Sequence, residues 1–289
     1  MLAALAAFFV FTIMNVFAKL LADRHSVIEI AFYRNLVACM PFLFMAFVLG
    51  KRDMLVIRSQ PRALVLRAVV GAISLTTTFA AFALMPMAET TVLLFTASLF
   101  VPVMGVLFLK EHVGPWRWGA VVAGFLGVAI MAGPTGNLNV LGVTVALAAA
   151  LLHAMLAILL RFLGKHERPE TVTFYFLVIG LLVMAVPMPF VAVRPSLDEL
   201  PMIIGIGLCG AAAQWLLSTA YRNASAATVT VFNYTGIVWA TLFGVLIWSE
   251  WPTGIVVAGA AIIISSNALV VWRENRLGRI GSARIRAKL

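Results

Sequence analysis

Charge is what this sequence has least of. Only 11% of its 289 residues are Asp, Glu, Lys or Arg, against about 25% in a soluble domain. Such a chain cannot cover a water-facing surface. Acids are scarcer still, 11 against 21 basic residues. The two cysteines, Cys39 and Cys209, fall deep in apolar stretches and read as small packing residues rather than a disulfide. No joint carries a GxxxxGKS/T phosphate loop, so the chain does not hydrolyse ATP itself. No His, Cys and Glu stand at metal-ligand spacing, and no cofactor is expected. Polar joints never exceed about a dozen residues, which leaves no room for a soluble domain.

What fills the chain instead is apolar sequence: 63% of residues, with a mean hydropathy of +1.06. Ten stretches approach the roughly 20 residues that cross about 30 Å of hydrocarbon. They are expected near 2–22, 27–49, 63–84, 87–109, 116–133, 140–160, 172–193, 200–221, 226–248 and 253–272. Strands of a membrane barrel would alternate apolar and polar residues. These stretches are apolar all round, so the expected fold is an all-α integral membrane protein. The first stretch is too long and too weakly flanked for a cleaved signal, and reads as a retained span.

The net charge of +10 is distributed by side rather than clustered for nucleic acid. With the N-terminus cytoplasmic, the inner joints and the tail hold about sixteen basic residues, among them Lys51, Arg58, Lys110, Arg168, Arg222 and Arg273, against Arg24 and Arg194 outside. That bias places both termini in the cytoplasm. The basic tail, 273–289, then meets anionic lipid headgroups, and no nucleic-acid partner is expected.

Sliding the chain by about 139 residues sets Glu111 on Glu250, Gly105 on Gly244 and Phe82 on Tyr221. A small loop correction sets Phe32-Tyr33 on Phe174-Tyr175. The expected units are a first five-helix repeat over 1–136 and a second over 137–272. Five is odd, so the second must insert upside down, the plan of many secondary transporters with a site between the halves. Glu111 and Glu250 each close a span and read as groups that satisfy backbone donors of the span that follows.

The segment FLKEHVGPWRWGAVVAGFLGVAIM (108–131) resembles the end of an EamA repeat of the drug/metabolite transporter superfamily, and IWSEWPTGIVVAGAAIII (247–264) is similar. FALMPMAETTVLLF (82–95) resembles that family's tight third-to-fourth turn, and Arg34 in AFYRNLVA stands where the family commonly has an Arg. The resemblance implies a ten-helix inner-membrane carrier, usually an exporter of amino acids or related metabolites. Within the family the chain looks most like aromatic amino-acid exporters of the YddG type.

A charge inside the bilayer costs roughly 2.5–3.5 kcal/mol on insertion scales, so each needs a reason. Lys19, Arg34 and Glu89 all fall in the outer half of their spans. Glu89 pairing with Lys19 or Arg34 would close an outer gate; snorkelling is the alternative for Lys19. Asn15 shares a face with Thr12 and Lys19, as Gln214 does with Ser218 and Tyr221. Thr76, Thr77 and Thr78 form a polar patch whose hydroxyls can bond back one turn. His153 is either a packing group or a proton carrier. Asn233 and the aromatics Tyr33, Phe79, Phe82, Tyr175 and Trp239 complete the expected cavity lining, which suits a zwitterion held by cation–π and amide contacts. Trp116, Trp118, Trp248 and Trp251 read as interfacial belt residues. Glycines such as Gly127 and Gly259 permit close helix approach, Gly71, Gly205, Gly207 and Gly210 with Pro41 and Pro102 are expected to let spans bend, and the third, fourth, eighth and ninth spans are the expected benders. The functional expectation is small-metabolite export by a monomer. A carrier of drugs or nucleotide-linked sugars is the nearest alternative. A lipid-modifying membrane enzyme, with only His112 beside Glu111 to suggest it, is another.

Overall fold

The computed structural model describes residues 2–100, 103–104, 115–131, 139–223, 229, 232–266 and 268–269. Among the described residues there are helices and no strand. The principal helices are α1 (Leu2–Leu21), α2 (Val27–Phe47), α3 (Pro61–Leu84), α4 (Met87–Leu94) and α5 (Pro115–Met131). They continue with α6 (Val140–Leu163), α7 (Pro169–Ala185), α8 (Leu200–Asn223), α9 (Thr235–Trp248) and α10 (Gly254–Ser266). Five of them, α1, α2, α3, α6 and α8, are long and apolar enough to cross a membrane, and the other five are apolar but shorter. Glu111, His112 and the tail from 273 onward lie outside the described residues.

Local chemistry sets the helix ends. The Ser26 hydroxyl accepts the Glu29 N–H at the start of α2, and the Asn139 side chain accepts the Leu141 N–H at the start of α6. Pro61 and Pro169 open α3 and α7, where a missing N–H costs nothing. Ser249 ends α9 in the left-handed region at φ 57°. Large apolar side chains such as Phe44, Ile73, Leu126, Leu182, Val238 and Leu246 point outward from these helices, as hydrocarbon surroundings require. Cys39 and Cys209 are free thiols.

Packing follows an exchange of the first five helices for the last five. α1 packs on α8 as α6 packs on α3, and α2 packs on α8 as α7 packs on α3. α1 meets α9 as α6 meets α4, while α2–α7 and α4–α9 pack on each other. The corresponding pair α5 and α10 crosses at Gly127 and Gly259. A Cβ on either would come within 2.9 and 2.7 Å of the other's carbonyl oxygen, so only glycine permits this approach.

Two of the four expected benders are broken. After α4 the chain turns at Phe95 and Thr96 and resumes helix to Phe100; before α9 it turns at Tyr234. Phe95 and Tyr234 stand about 139 residues apart, the repeat offset, and their rings meet edge-on at 5.6 Å. α3 and α8 run as single helices of 24 residues each. Gly71 and Gly210, expected as bending points within them, instead make room for side chains of neighbouring helices.

Candidate functional site

One end of the bundle gathers the α1–α2, α3–α4, α7–α8 and α9–α10 joints. There Lys19 Nζ forms an ion pair with Glu250 and donates to the Met85 carbonyl at 3.2 Å. It also lies 4.8 Å from the ring centre of Trp248. The other carboxylate oxygen of Glu250 accepts the Met87 N–H at 2.9 Å. Glu250 therefore caps α4 in the first half of the chain, not the α10 helix that follows it. Lys19 is half-buried and does not snorkel, and Trp248 lies under its ammonium. Glu89 is buried beside this cluster but makes no ion pair with Lys19 or Arg34.

The same end carries a second cluster. His25 Nδ1 stands 3.0 Å from Glu29 and Nε2 stands 3.2 Å from Glu199, with Arg24 also on Glu199 at 3.1 Å. Glu29 accepts the Val193 N–H at 3.1 Å, so the α1–α2 joint is tied to the α7–α8 joint. Tyr33 packs edge-on against His25.

Below the Lys19–Glu250 closure, Phe82 is buried among Val16, Met87, Leu94, Ala149 and Ala240, at the meeting of α1, α3, α4, α6 and α9. Polar atoms follow. His153 Nε2 lies 3.3 Å from Thr78 Oγ1, whose own proton goes to the Ser74 carbonyl at 2.7 Å. The contact links α3 to α6 in the middle of the bundle. Thr76 and Thr77 also bond back one turn, to Ala72 and Ile73. Asn15 Oδ1, Trp239 Nε1 and Tyr234 Oη are buried with no protein partner among the described residues. Phe9 meets Trp239 edge-on at 4.9 Å. Phe79 is fully buried in the α1–α2–α3–α8 core.

The remaining expected lining residues go elsewhere. Tyr175 donates to the Leu55 carbonyl at 2.9 Å and anchors the α2–α3 joint. Ser218 bonds Thr173 on α7 at 3.2 Å. Asn233 is half-buried beside the break that precedes α9. At this opposite end of the bundle, Glu167 accepts the N–H groups of Arg58, Ser59 and Gln60 ahead of α3. Burial raises its carboxyl, but those three donors outweigh it and hold the pKa below the ordinary value. A cleft of about 620 Å³ opens here, lined by Lys51, Asp53, Arg168, Glu170 and Arg222 among others.

Sequence reasoning does not single out Arg67, which stands less than two turns inside α3 and reads as a charge able to reach the headgroups. In the structure it is 2% exposed, and Arg34 is 0% exposed. Both guanidinium groups lie against Phe176, at 4.0 Å for Arg67 and 5.3 Å for Arg34. Arg67 Nη2 donates to Gln214 at 3.0 Å, reaching from α3 to α8. Arg34 Nη1 donates to Asn35 at 2.7 Å and Nη2 to the Gly210 carbonyl at 3.0 Å.

The geometry defines a class: a membrane helix bundle whose polar groups lie between two matching sets of helices. The chain belongs to the EamA-like transporter family, whose sequence model matches residues 1–133 and again 140–272. It is similar to the pseudopaline exporter CntI of Pseudomonas aeruginosa, 28% identical over 91% of this chain and 92% of that protein. It is also similar to a riboflavin transporter of Rhizobium johnstonii, 31% identical over 74% of this chain and 71% of the other. A solved structure, 17% identical, covers 94% of this chain and 98% of its own with a TM-score of 0.65, which shows a shared fold. These relatives are transporters of metabolites, and the narrower likeness to aromatic amino-acid exporters is not what they display.

Proposed function

We propose that this chain is a secondary carrier for amino acids or related small metabolites, working by alternating access between two five-helix halves, 1–136 and 137–272. The observation that carries the reading is the Lys19–Glu250 pair. It joins α1 of one half to the α9–α10 joint of the other, and the same carboxylate caps α4 at Met87. The basic bias of the joints makes this the outer face, so the arrangement corresponds to an outward-closed state. The exchange symmetry of the packing supports two related halves inserted in opposite senses. Breaks at matching positions of α4 and α9 supply the moving parts, since interrupted helices mark the sites of many carriers. Asn15, Trp239, Tyr234 and the Thr78–His153 pair supply polar contacts for cargo in the middle of the bundle. The relatives move chemically different metabolites, so the cargo class stays broad, with aromatic amino acids as one member to test. We place the chain in a bacterial inner membrane with both termini cytoplasmic, functional as a monomer.

Reconstitution in liposomes tests the reading. Labelled amino acids and related metabolites should show saturable flux that unlabelled cargo competes. Flux indistinguishable from protein-free vesicles across amino acids, nucleosides and cations would remove the carrier reading.

A further inference from the structure

Two fully buried guanidinium groups share one aromatic ring, and no described carboxylate pairs with either. Arg34 Nε, Arg67 Nε, Arg67 Nη1 and Asn35 Nδ2 are all buried donors without a protein partner among the described residues. A buried cation is held at high cost unless an opposite charge and hydrogen bonds compensate it. Two such cations near each other add repulsion to that cost. Phe176 offers only the weak attraction of a ring face, and Gln214, Asn35 and Gly210 offer neutral oxygens. What the group lacks is negative charge.

The backbone is shaped to hold this arrangement. A Cβ at Gly210 would run into the Arg34 guanidinium, and a Cβ at Gly71 would come within 2.7 Å of the Phe176 ring and 3.0 Å of Arg67 Nη1. Gly71 and Gly210 stand about 139 residues apart, the repeat offset. Arg34 follows Phe32-Tyr33 as Phe176 follows Phe174-Tyr175. Corresponding side chains from α2 and α7 thus enter corresponding notches in α8 and α3. One half supplies the charge and the other the ring. The cluster therefore lies where the two halves meet, and Arg67–Gln214 links α3 to α8 across that meeting.

We propose that Arg34, Arg67 and Asn35 form a buried oxyanion site that takes the carboxylate of the carried solute. Planar guanidinium forks match a carboxylate by paired N–H donation, which an ammonium or a lone amide cannot reproduce. This deepens the carrier reading and rests on it: the substrate class becomes solutes with a free carboxylate.

The test uses the full chain in lipid nanodiscs at constant ionic strength. Acetate, benzoate and succinate are each compared with the matching neutral amide, by thermal unfolding and by competition binding. The carboxylates should raise the unfolding midpoint and the amides should not. Arg67→Gln and Arg34→Gln should each weaken carboxylate binding at least about tenfold, as expected for losing hydrogen bonds to a charged group, and Arg67→Lys should restore only part. Equal shifts from carboxylate and amide overturn the proposal, and wild-type protein alone decides that even if a variant fails to fold. An equal shift from chloride at the same concentration also overturns it, in favour of a resident halide. Carboxylate binding without flux of any solute would leave the anion site standing and remove the carrier reading. Saturable flux that treats acid and amide alike would do the reverse.

Discussion

Glu250 and Glu167 each do at a distance what a capping residue does locally. Glu250 holds Lys19 and the Met87 N–H, two groups far from it in sequence. Removing its charge with Glu250→Gln should cost the closed form about 1–3 kcal/mol. A cysteine introduced at Asn15, below the closure, should then label severalfold faster with an impermeant maleimide from outside; unchanged labelling would count against the closure. Glu167→Gln should lower thermal stability by about 1–3 kcal/mol at neutral pH by weakening three backbone contacts. Because the folded carboxyl titrates below its ordinary value, its contribution is present above roughly pH 4.3 and is lost as pH falls through the depressed value. The gap between variant and wild type should close on acidification, and a gap independent of pH would contradict the assignment. Tyr234 gives a contrasting case. Its buried hydroxyl has no protein partner among the described residues, so Tyr234→Phe should leave stability within about 1 kcal/mol of wild type. A drop in flux without a drop in stability would then identify that hydroxyl as a cargo contact. None of these pairings could be read from sequence spacing. Lys19 and Arg34 were legible as charges needing partners, but Glu250 and the Gly210 carbonyl, which meet them, lie in the other half of the chain. Arg67 was missed because a basic residue near a helix end resembles a solvated one.

At the scale of elements, periodicity and breakers revealed most helices, since an apolar run bounded by Pro, Gly or a cap has few other solutions in lipid. The lengths were less legible. α4 and α9 are shortened by turns at Phe95–Thr96 and Tyr234, inside stretches that read in sequence as single spans, 87–109 and 226–248. Those turns became visible only as a matched pair whose rings meet. The expectation that glycine marks bends failed at Gly71 and Gly210, where the missing Cβ admits Phe176 and Arg34. It held as close approach at Gly127 and Gly259. Gly127→Val should separate α5 from α10 and lower stability by about 1–3 kcal/mol, read by thermal unfolding in nanodiscs. A neutral effect would mean that the crossing does not carry packing energy.

For the whole molecule, the repeat was visible in sequence as a weak offset near 139 residues, and the family match falls twice along the chain. What sequence could not supply was the exchange of partners, in which helices of one half pack on those of the other. That interlocking makes the Lys19–Glu250 link a lock between halves rather than a local ornament. The most direct test joins these two positions covalently. With Cys39 and Cys209 replaced by Ala, Lys19→Cys and Glu250→Cys are combined and oxidised in proteoliposomes, and flux of a saturable cargo is followed before and after reduction. The carrier account predicts that flux falls to background in the crosslinked protein and returns on reduction. Undiminished flux through the crosslinked form would contradict it.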